Sequence, residues 1–427
     1  MERKEILVLA YAVSPTRGSE YAVAWNYITH MSRYHNLTVI CGTSGDHLGD
    51  LDELKRYLAQ SPMENVTFEL VEPSRIANIL NYPNRKGWFP YMFYAAFGCW
   101  QRSAYKHARK LASTHHFDLV HTLGPIGYRE PGYLWKLDMP RLWGPIGGIT
   151  NYPRILFDIL TPKVKTRFII RAMGNTMQRN VNARVRKAFR ANDVVLACTT
   201  ETARQIKKYF GVDSEYMPEN CIDDTMLTGQ AKADRFDLPM KLIFVGRTDE
   251  NKAVILPLRA LTQIRHSDKV RFDIIGDGPA MPALKAFVAD NNLDGIVRFH
   301  GRLPRAEAIG LFANANLNVI SSLGEANTTV IFEALANGVP TMALDHCGMH
   351  DVITDECGVK IPVGNPEQVV ADMAAAIDRL VENPELVRKL AEGAARRAKT
   401  YSWEEREKRF NELYDEAITK YNNKKNH

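Results

Sequence analysis

The residues best suited to chemistry fall in two short segments. One is Phe244-Val245-Gly246-Arg247-Thr248-Asp249-Glu250-Asn251-Lys252, where an apolar run ends in glycine and leads to an arginine and a lysine. Arginine offers phosphate oxygens a planar fork, and lysine a point charge. Such a pair suits a departing diphosphate, whose charge builds up in the transition state. The other is Gly324-Glu325-Ala326-Asn327-Thr328-Thr329-Val330-Ile331-Phe332-Glu333, which follows the apolar run 317–320. Thr328 and Thr329 suit a helix N-terminus, where free backbone N–H groups face an anion. Glu333 then falls about one turn inside that helix. Its carboxylate can accept two hydrogen bonds from vicinal hydroxyls, such as those of a ribose. Glu325, outside the helix, is placed to hold hydroxyls of a second sugar. Alone, Arg247 and Lys252 would read as surface charges. Joined to the glutamate segment, they read as part of one anion- and sugar-binding site.

Alternating strands and helices must position these groups. In the first half, strands are predicted at 6–10, 37–41, 117–121 and 193–198, with helices at 18–33 and 101–113. In the second half, strands at 241–245, 271–275, 297–300, 317–320 and 341–344 alternate with helices at 253–265, 281–291, 304–313 and 329–337. Such alternation implies parallel sheets covered on both faces. A chain of 427 residues exceeds one ordinary core. The boundary is expected near 211–218, which makes two doubly wound domains. Ligands of such sheets sit outside the carboxyl ends of the strands, so a cleft between the domains is the expected site.

Charge divides the chain in the same place. Residues 1–210 hold 29 lysines and arginines against 16 acidic residues, and residues 211–427 hold 26 against 33. A basic half points to an anionic partner, either phosphates or lipid headgroups. Two stretches of that half break the strand–helix pattern. Residues 82–100 are dense in aromatics, and residues 163–190 interleave nine basic side chains with Phe168, Ile169 and Ile170. This mixture reads as an interfacial helix on anionic lipid, or as a core helix with a solvated basic face. No run reaches the roughly 20 apolar residues of a membrane-spanning helix. Glu2 and Glu5 argue that residues 1–13 are a first strand and not a signal peptide. Six scattered cysteines without a CxxC pair suggest reduced thiols, and no zinc-like spacing occurs.

Several motifs together resemble one known family. Gly246-Arg247 with Lys252, Gly276-Asp277-Gly278-Pro279, the pair Glu325 and Glu333, and Gly338-Val339-Pro340 are similar, in order, to the family-4 retaining glycosyltransferases of the GT-B fold. Asn220 resembles the asparagine of that family's domain junction. Tyr401-Ser402-Trp403 resembles the start of its last helix. Gly18-Ser19-Glu20, Asp118-Leu119-Val120-His121 and Gly144-Pro145-Ile146-Gly147-Gly148 are weaker matches in the first half. Ala253 and Cys221 stand where the family has glycine, and Ala326-Asn327-Thr328 replaces its usual loop after the first glutamate.

The resemblance implies α/β architecture. Two Rossmann-like domains would flank a cleft, and a C-terminal helix would cross back to the first. An acceptor domain would span 1–215 and be completed by 404–427, and a donor domain would span 216–403. It implies a catalytic set of His121, Arg247, Lys252 and Glu325. Gly18, Ser19, Arg302, Leu303, Asn327, Thr328, Thr329 and Glu333 would bind the donor. His121 would contact the transferred sugar, although a lone histidine ending an apolar strand is also a common packed residue. Glu325 and Glu333 would be binders and not the paired carboxylates of a glycosidase. No metal or other cofactor is expected, because Arg247 and Lys252 can replace a cation.

The implied reaction is sugar transfer from a nucleotide-sugar, with UDP favoured. The implied acceptor is a glycan or lipid-linked molecule of bacterial surface polysaccharide synthesis, at the inner, cytoplasmic face of the membrane. Rival readings are a nucleotide-sugar epimerase, another enzyme of the same fold, or a non-catalytic nucleotide-sugar binder. The Gly276 loop does not complete GxGxxG, since Met281 holds the last position, and no P-loop occurs. The basic half contains no recognisable nucleic-acid module.

Overall fold

The computed structural model describes residues 2–18, 20–89, 92–223, 226–227 and 236–426, without the side chains of 305 and 306. Ser19 therefore lies outside the described residues. The chain divides into two units. The first comprises Met1–Ile149, Asn175–Glu219 and Glu407–His427; the second comprises Thr150–Gly174 and Asn220–Arg406.

The first unit is built on β1 (Glu5–Leu9), β2 (Asn36–Cys41), β3 (Val66–Leu70), β4 (Leu119–Thr122), β5 (Arg141–Ile146), β6 (Val194–Ala197) and β7 (Glu215–Tyr216). They form one sheet in the order β3-β2-β1-β4-β5-β6-β7, with every pairing parallel. Its helices are α1 (Glu20–Met31), α2 (Asp52–Gln60), α3 (Arg75–Arg85), α4 (Met92–Thr114), part of α5 (Pro162–Val181), α6 (Ala183–Ala191) and α7 (Thr200–Phe210). Strand β1 is EILVL, and Ile6, Leu7, Val8 and Leu9 are all buried. A strand covered on both faces reads as an unbroken apolar run, which is why the pattern was legible there. On one face α4 supplies Trp100, fully buried and stacked on Phe97 at 5.7 Å. Its indole N–H donates to the Val71 carbonyl at 2.7 Å, so the polar edge of the ring is satisfied.

The second unit repeats the design with β8 (Met240–Val245), β9 (Val270–Ile275), β10 (Val297–Gly301), β11 (Leu317–Ile320), β12 (Thr341–Leu344) and β13 (Gly358–Ile361). The order is β10-β9-β8-β11-β12-β13, again parallel throughout. Around it lie α8 (Ile255–Leu261), α9 (Met281–Asp290), α10 (Arg305–Phe312), α11 (Thr329–Ala336), α12 (Cys347–Val352), α13 (Pro366–Glu382) and α14 (Pro384–Lys399). The last helix, α15 (Trp403–Lys425), contributes residues from 407 onward to the first unit. There Tyr414, His30–Glu407 (2.6 Å) and Lys4–Asp415 (2.8 Å) tie it to the unit's own surface.

The division differs from the expected one chiefly in one segment. The changeover falls at Glu219 and Asn220, close to the predicted position. Residues 150–174, expected in the first domain, group with the second. Leu156, Phe157, Leu160 and Phe168 are the cause, because they enter the core cluster that holds Leu242, Phe244, Phe272 and Leu317.

Trp100→Ala removes the largest fully buried side chain of the first core and orphans the Val71 carbonyl. The expected cost is about 3–5 kcal/mol, read as a lower midpoint in urea unfolding. An unchanged midpoint would contradict this account of the core.

Candidate functional site

In both sheets the strand order reverses beside the first strand: β1 lies between β2 and β4, and β8 lies between β9 and β11. Carboxyl ends of strands at such switch points are where ligands bind in open α/β sheets. In the second unit this place holds the two segments that stand out in the sequence.

Three strand ends are locked together there. Gly246 N–H donates to the Ile275 carbonyl at 2.9 Å, and Gly276 N–H to the Gly301 carbonyl at 2.7 Å. Gly276 adopts φ 128°, and a Cβ on it would stand 1.9 Å from the Gly246 carbonyl oxygen. Only glycine fits this approach, so the Gly-Asp-Gly-Pro motif acts as packing and not as a dinucleotide fingerprint.

After β8 the chain turns through a short 3-10 helix, Glu250–Lys252, which ends at Ala253 with φ 50°. This is the left-handed conformation for which the family resemblance expects glycine. An L-residue there costs roughly 1–2 kcal/mol, and the Ala253 N–H is held by the Glu250 carbonyl at 3.0 Å. The turn aims the Lys252 ammonium at the Glu325 carboxylate, and the two form an ion pair. Both are largely buried, with side chains 17% and 21% exposed. Ser321 Oγ donates to the Lys252 carbonyl at 2.8 Å, and Ser322 Oγ to Glu325 at 3.4 Å. The loops after β8 and β11 are thereby joined by both charge and hydrogen bonds. Just past the neighbouring strand β12, the His346 ring reaches the Ser322 carbonyl at 3.2 Å, and burial holds its pKa down.

Arg247 is differently placed. It is 61% exposed and forks onto Asp249 at 2.9 and 3.2 Å. The pair raises the guanidinium pKa and lowers that of the carboxyl. Thr328 caps α11, its hydroxyl accepting from the Val330 N–H at 3.4 Å. Thr329 is exposed at the first helical position, Asn327 is buried, and its carbonyl accepts from the Asn220 amide at 3.3 Å. Glu333 lies on the second turn of α11, half-buried. Arg302 is exposed just past β10, and Leu303 packs with Val245 against the cluster of Ile243, Phe312 and Val330.

Sequence reasoning misses what braces these loops. The segment 150–174 reaches both of them. The Thr161 N–H and hydroxyl donate to the Glu250 carboxylate, each at 2.7 Å. The Tyr152 ring lies so close to Gly324 that any Cβ there would meet it at 2.1 Å. Arg171 covers that ring at 4.6 Å. Thr161 and Glu250 are 89 residues apart, and no local pattern signals their meeting.

The first unit overturns one expectation. His121 is fully buried. Its Nε2–H donates to the Gly144 carbonyl at 2.9 Å, and Nδ1 faces the hydroxyls of Tyr27 and Tyr414 at 3.1 and 3.2 Å. Both ring nitrogens are engaged inside the unit, so His121 is a packed residue and not a group presented to a sugar. Burial lowers its pKa from 6.5 to about 4. Gly18 is exposed, with no protein atom within 4 Å of where a Cβ would stand. Among the described residues no group of three or more His, Cys, Asp or Glu is arranged to hold a metal ion.

Comparison with known proteins agrees with this fold. Residues 239–383 match the family model described as glycosyl transferases group 1. A D-inositol 3-phosphate glycosyltransferase of Thermomonospora curvata is 29% identical over 254 residues, covering 53% of this chain and 57% of that protein. The chain spans about half the length of the curated relatives it matches. Sucrose-phosphate synthase of Thermosynechococcus elongatus superimposes with a TM-score of 0.66 at 15% identity, over 98% of this chain and 100% of that one. Anabaena HepE, solved in complex with UDP, gives 0.61 at 15% identity, over 96% and 99%. The fold is GT-B, and the second unit carries a glycosyl transferases group 1 segment.

Because folding depresses the His121 pKa, the unfolded chain binds the extra proton between pH 6.5 and 4. Stability should therefore fall as pH drops through that window, by about 3 kcal/mol at its lower end. Thermal melts against pH are expected to be flatter for His121→Gln than for the unaltered chain. Parallel curves would show that His121 is not buried neutral.

Proposed function

We propose that this chain, with its glycosyl transferases group 1 segment at 239–383, is a retaining glycosyltransferase. It transfers a sugar from a nucleoside diphosphate, UDP above all, to a glycan or lipid-linked acceptor of surface polysaccharide synthesis. It does so at the cytoplasmic face of the membrane. The observation that carries this reading is the Lys252–Glu325 ion pair across adjoining strand ends, one turn before the N-terminus of α11. A D-inositol 3-phosphate glycosyltransferase among the relatives and UDP in the HepE complex support it.

The chemistry follows from the groups in place. A diphosphate carries more charge than one carboxylate, so it competes with Glu325 for Lys252 and with Asp249 for Arg247. Backbone N–H groups of Asn327, Thr328 and Thr329 add the positive end of the α11 dipole. Glu333 accepts from the ribose hydroxyls, while Arg302 and the apolar Leu303 border the base. Glu325, released from Lys252, is free to accept hydroxyls of the transferred sugar. The bond from the anomeric carbon to phosphate then breaks on the face where the acceptor hydroxyl attacks. A departing phosphate oxygen takes the acceptor's proton, and Lys252 and Arg247 stabilise the charge that remains. No side chain need act as nucleophile, and configuration is retained. No cofactor takes part in this scheme.

Lys252→Ala and Glu333→Ala are expected to lower kcat/KM at least about a hundredfold, with the melting temperature little changed in Glu333→Ala and lowered in Lys252→Ala, which leaves the Glu325 carboxylate unpaired. Calorimetry should give UDP binding tighter than GDP binding, weakened in both variants. Wild-type turnover by either variant, or an inverted anomer in the NMR spectrum of the product, would refute the assignment. Consumption of the donor without an acceptor would favour an epimerase instead.

A further inference from the structure

The first unit carries a surface feature far in sequence from the donor site. Helix α3 packs inward through Ala77 and Leu80, which join the core of Trp100 and Phe97. Its opposite stripe holds Arg75, Ile79, Tyr82 and Lys86, at the i, i+4, i+7 and i+11 spacing of one helical face. On a soluble amphipathic helix this face is polar. Here Ile79 is 71% exposed, and Ile76 on its flank is 64% exposed. The turn that follows adds Trp88 and Phe89, 64% and 66% exposed. Trp88 stands edge-on to the Tyr82 ring at 6.1 Å, and the Lys86 ammonium covers that ring at 5.7 Å. Tyr94, on the first turn of α4, is also exposed.

Single exposed apolar side chains are ordinary, but a run of them marks an interaction surface. Its electrostatics identify the partner. Residues 73–117 contain seven lysines and arginines and no aspartate or glutamate. Apolar side chains beside tryptophan and tyrosine, with Arg75, Arg85 and Lys86 among them, match the boundary of an anionic bilayer. There the phosphates meet the cations, and the rings sit at headgroup depth.

We propose that the outer stripe of α3 and the turn through Phe89 form a lipid-docking surface for anionic membranes. Ile76, Ile79, Trp88 and Phe89 enter the acyl boundary, and Arg75, Arg85 and Lys86 bind lipid phosphates. The proposal rests on the reading of the chain as an enzyme with a membrane-borne acceptor, and it names the surface that reaches it.

The full chain would be co-sedimented with vesicles of phosphatidylglycerol and phosphatidylcholine, and with vesicles of phosphatidylcholine alone. Binding is expected to the anionic vesicles and to weaken with salt. The triple variant Ile79→Ser, Trp88→Ser, Phe89→Ser and the charge variant Arg85→Gln, Lys86→Gln should each bind more than about tenfold less. Both should keep UDP affinity by calorimetry. Should the triple variant unfold, Trp88→Ser alone serves in the same assay, with a smaller loss. Equal binding to neutral vesicles, variants that bind like the unaltered chain, or a dimer that becomes monomeric in the triple variant would overturn the proposal. Lost UDP binding with vesicle binding intact would instead sink the glycosyltransferase reading alone.

Discussion

A lysine and a glutamate held together at the end of two neighbouring strands impose a demand that the second unit is built to meet. An ion pair with both members mostly out of water gains from Coulomb attraction only if each remains hydrogen-bonded and well placed. Ser322 donates to the Glu325 carboxylate, Ser321 fixes the Lys252 backbone from the same β11 loop, and the turn ending at Ala253 places the lysine from the β8 loop. The left-handed backbone at Ala253 is a small expense accepted to aim Lys252 inward. The pair also holds the lysine near where a diphosphate is expected. An anion arriving there meets a cation already oriented, and little side-chain entropy remains to be lost.

Around that pair the supports form a sequence of dependencies. Gly276 allows the β8 and β9 ends to touch, which sets the height of the Arg247 turn. Thr161 clamps Glu250 on that same turn, and Tyr152 fills the space beneath Gly324 on the opposing loop. The first unit has an analogous network directed inward. Tyr27, His121 and Tyr414 hydrogen-bond at the buried end of β4. Polar residues at a strand end thus keep partial contact with solvent in one sheet and are packed inside the unit in the other. Burial distinguishes the two, not residue type.

Most of the second sheet was readable because β11 and β12 are fully buried, β8 ends in the apolar run LIFV, and β9 keeps apolar residues at four of its six positions. Several other strands were not. β3, VTFEL, alternates because it is an edge strand with one face half-exposed. β5 contains Gly144 and Pro145, a pair that reads as a turn. The edge strand β13, GVKI, is short and carries a lysine. Lys252 and Glu325 were legible as a site because their motifs occur in order along consecutive βα units. His121 was misread because its partners lie 94 and 293 residues away. Its strand end looks the same in sequence whether it opens to solvent or is capped by Tyr414. The α3 stripe could be read only in part. Its aromatics were visible in the sequence, but which of them face outward depends on how α4 packs.

The path of the backbone has a practical consequence. It passes from one unit to the other at 149/150, 174/175, 219/220 and 406/407. Neither unit is a continuous stretch of gene. A fragment beginning at residue 220 would lack Leu156, Phe157, Leu160 and Phe168, as well as the tyrosine and threonine that brace the loops after β8 and β11. A fragment ending at 219 would leave bare the surface that α15 covers. Dissecting this molecule into halves for expression, or exchanging a half with a relative, requires grafting several separated segments at once. A single splice point would yield two incomplete bodies.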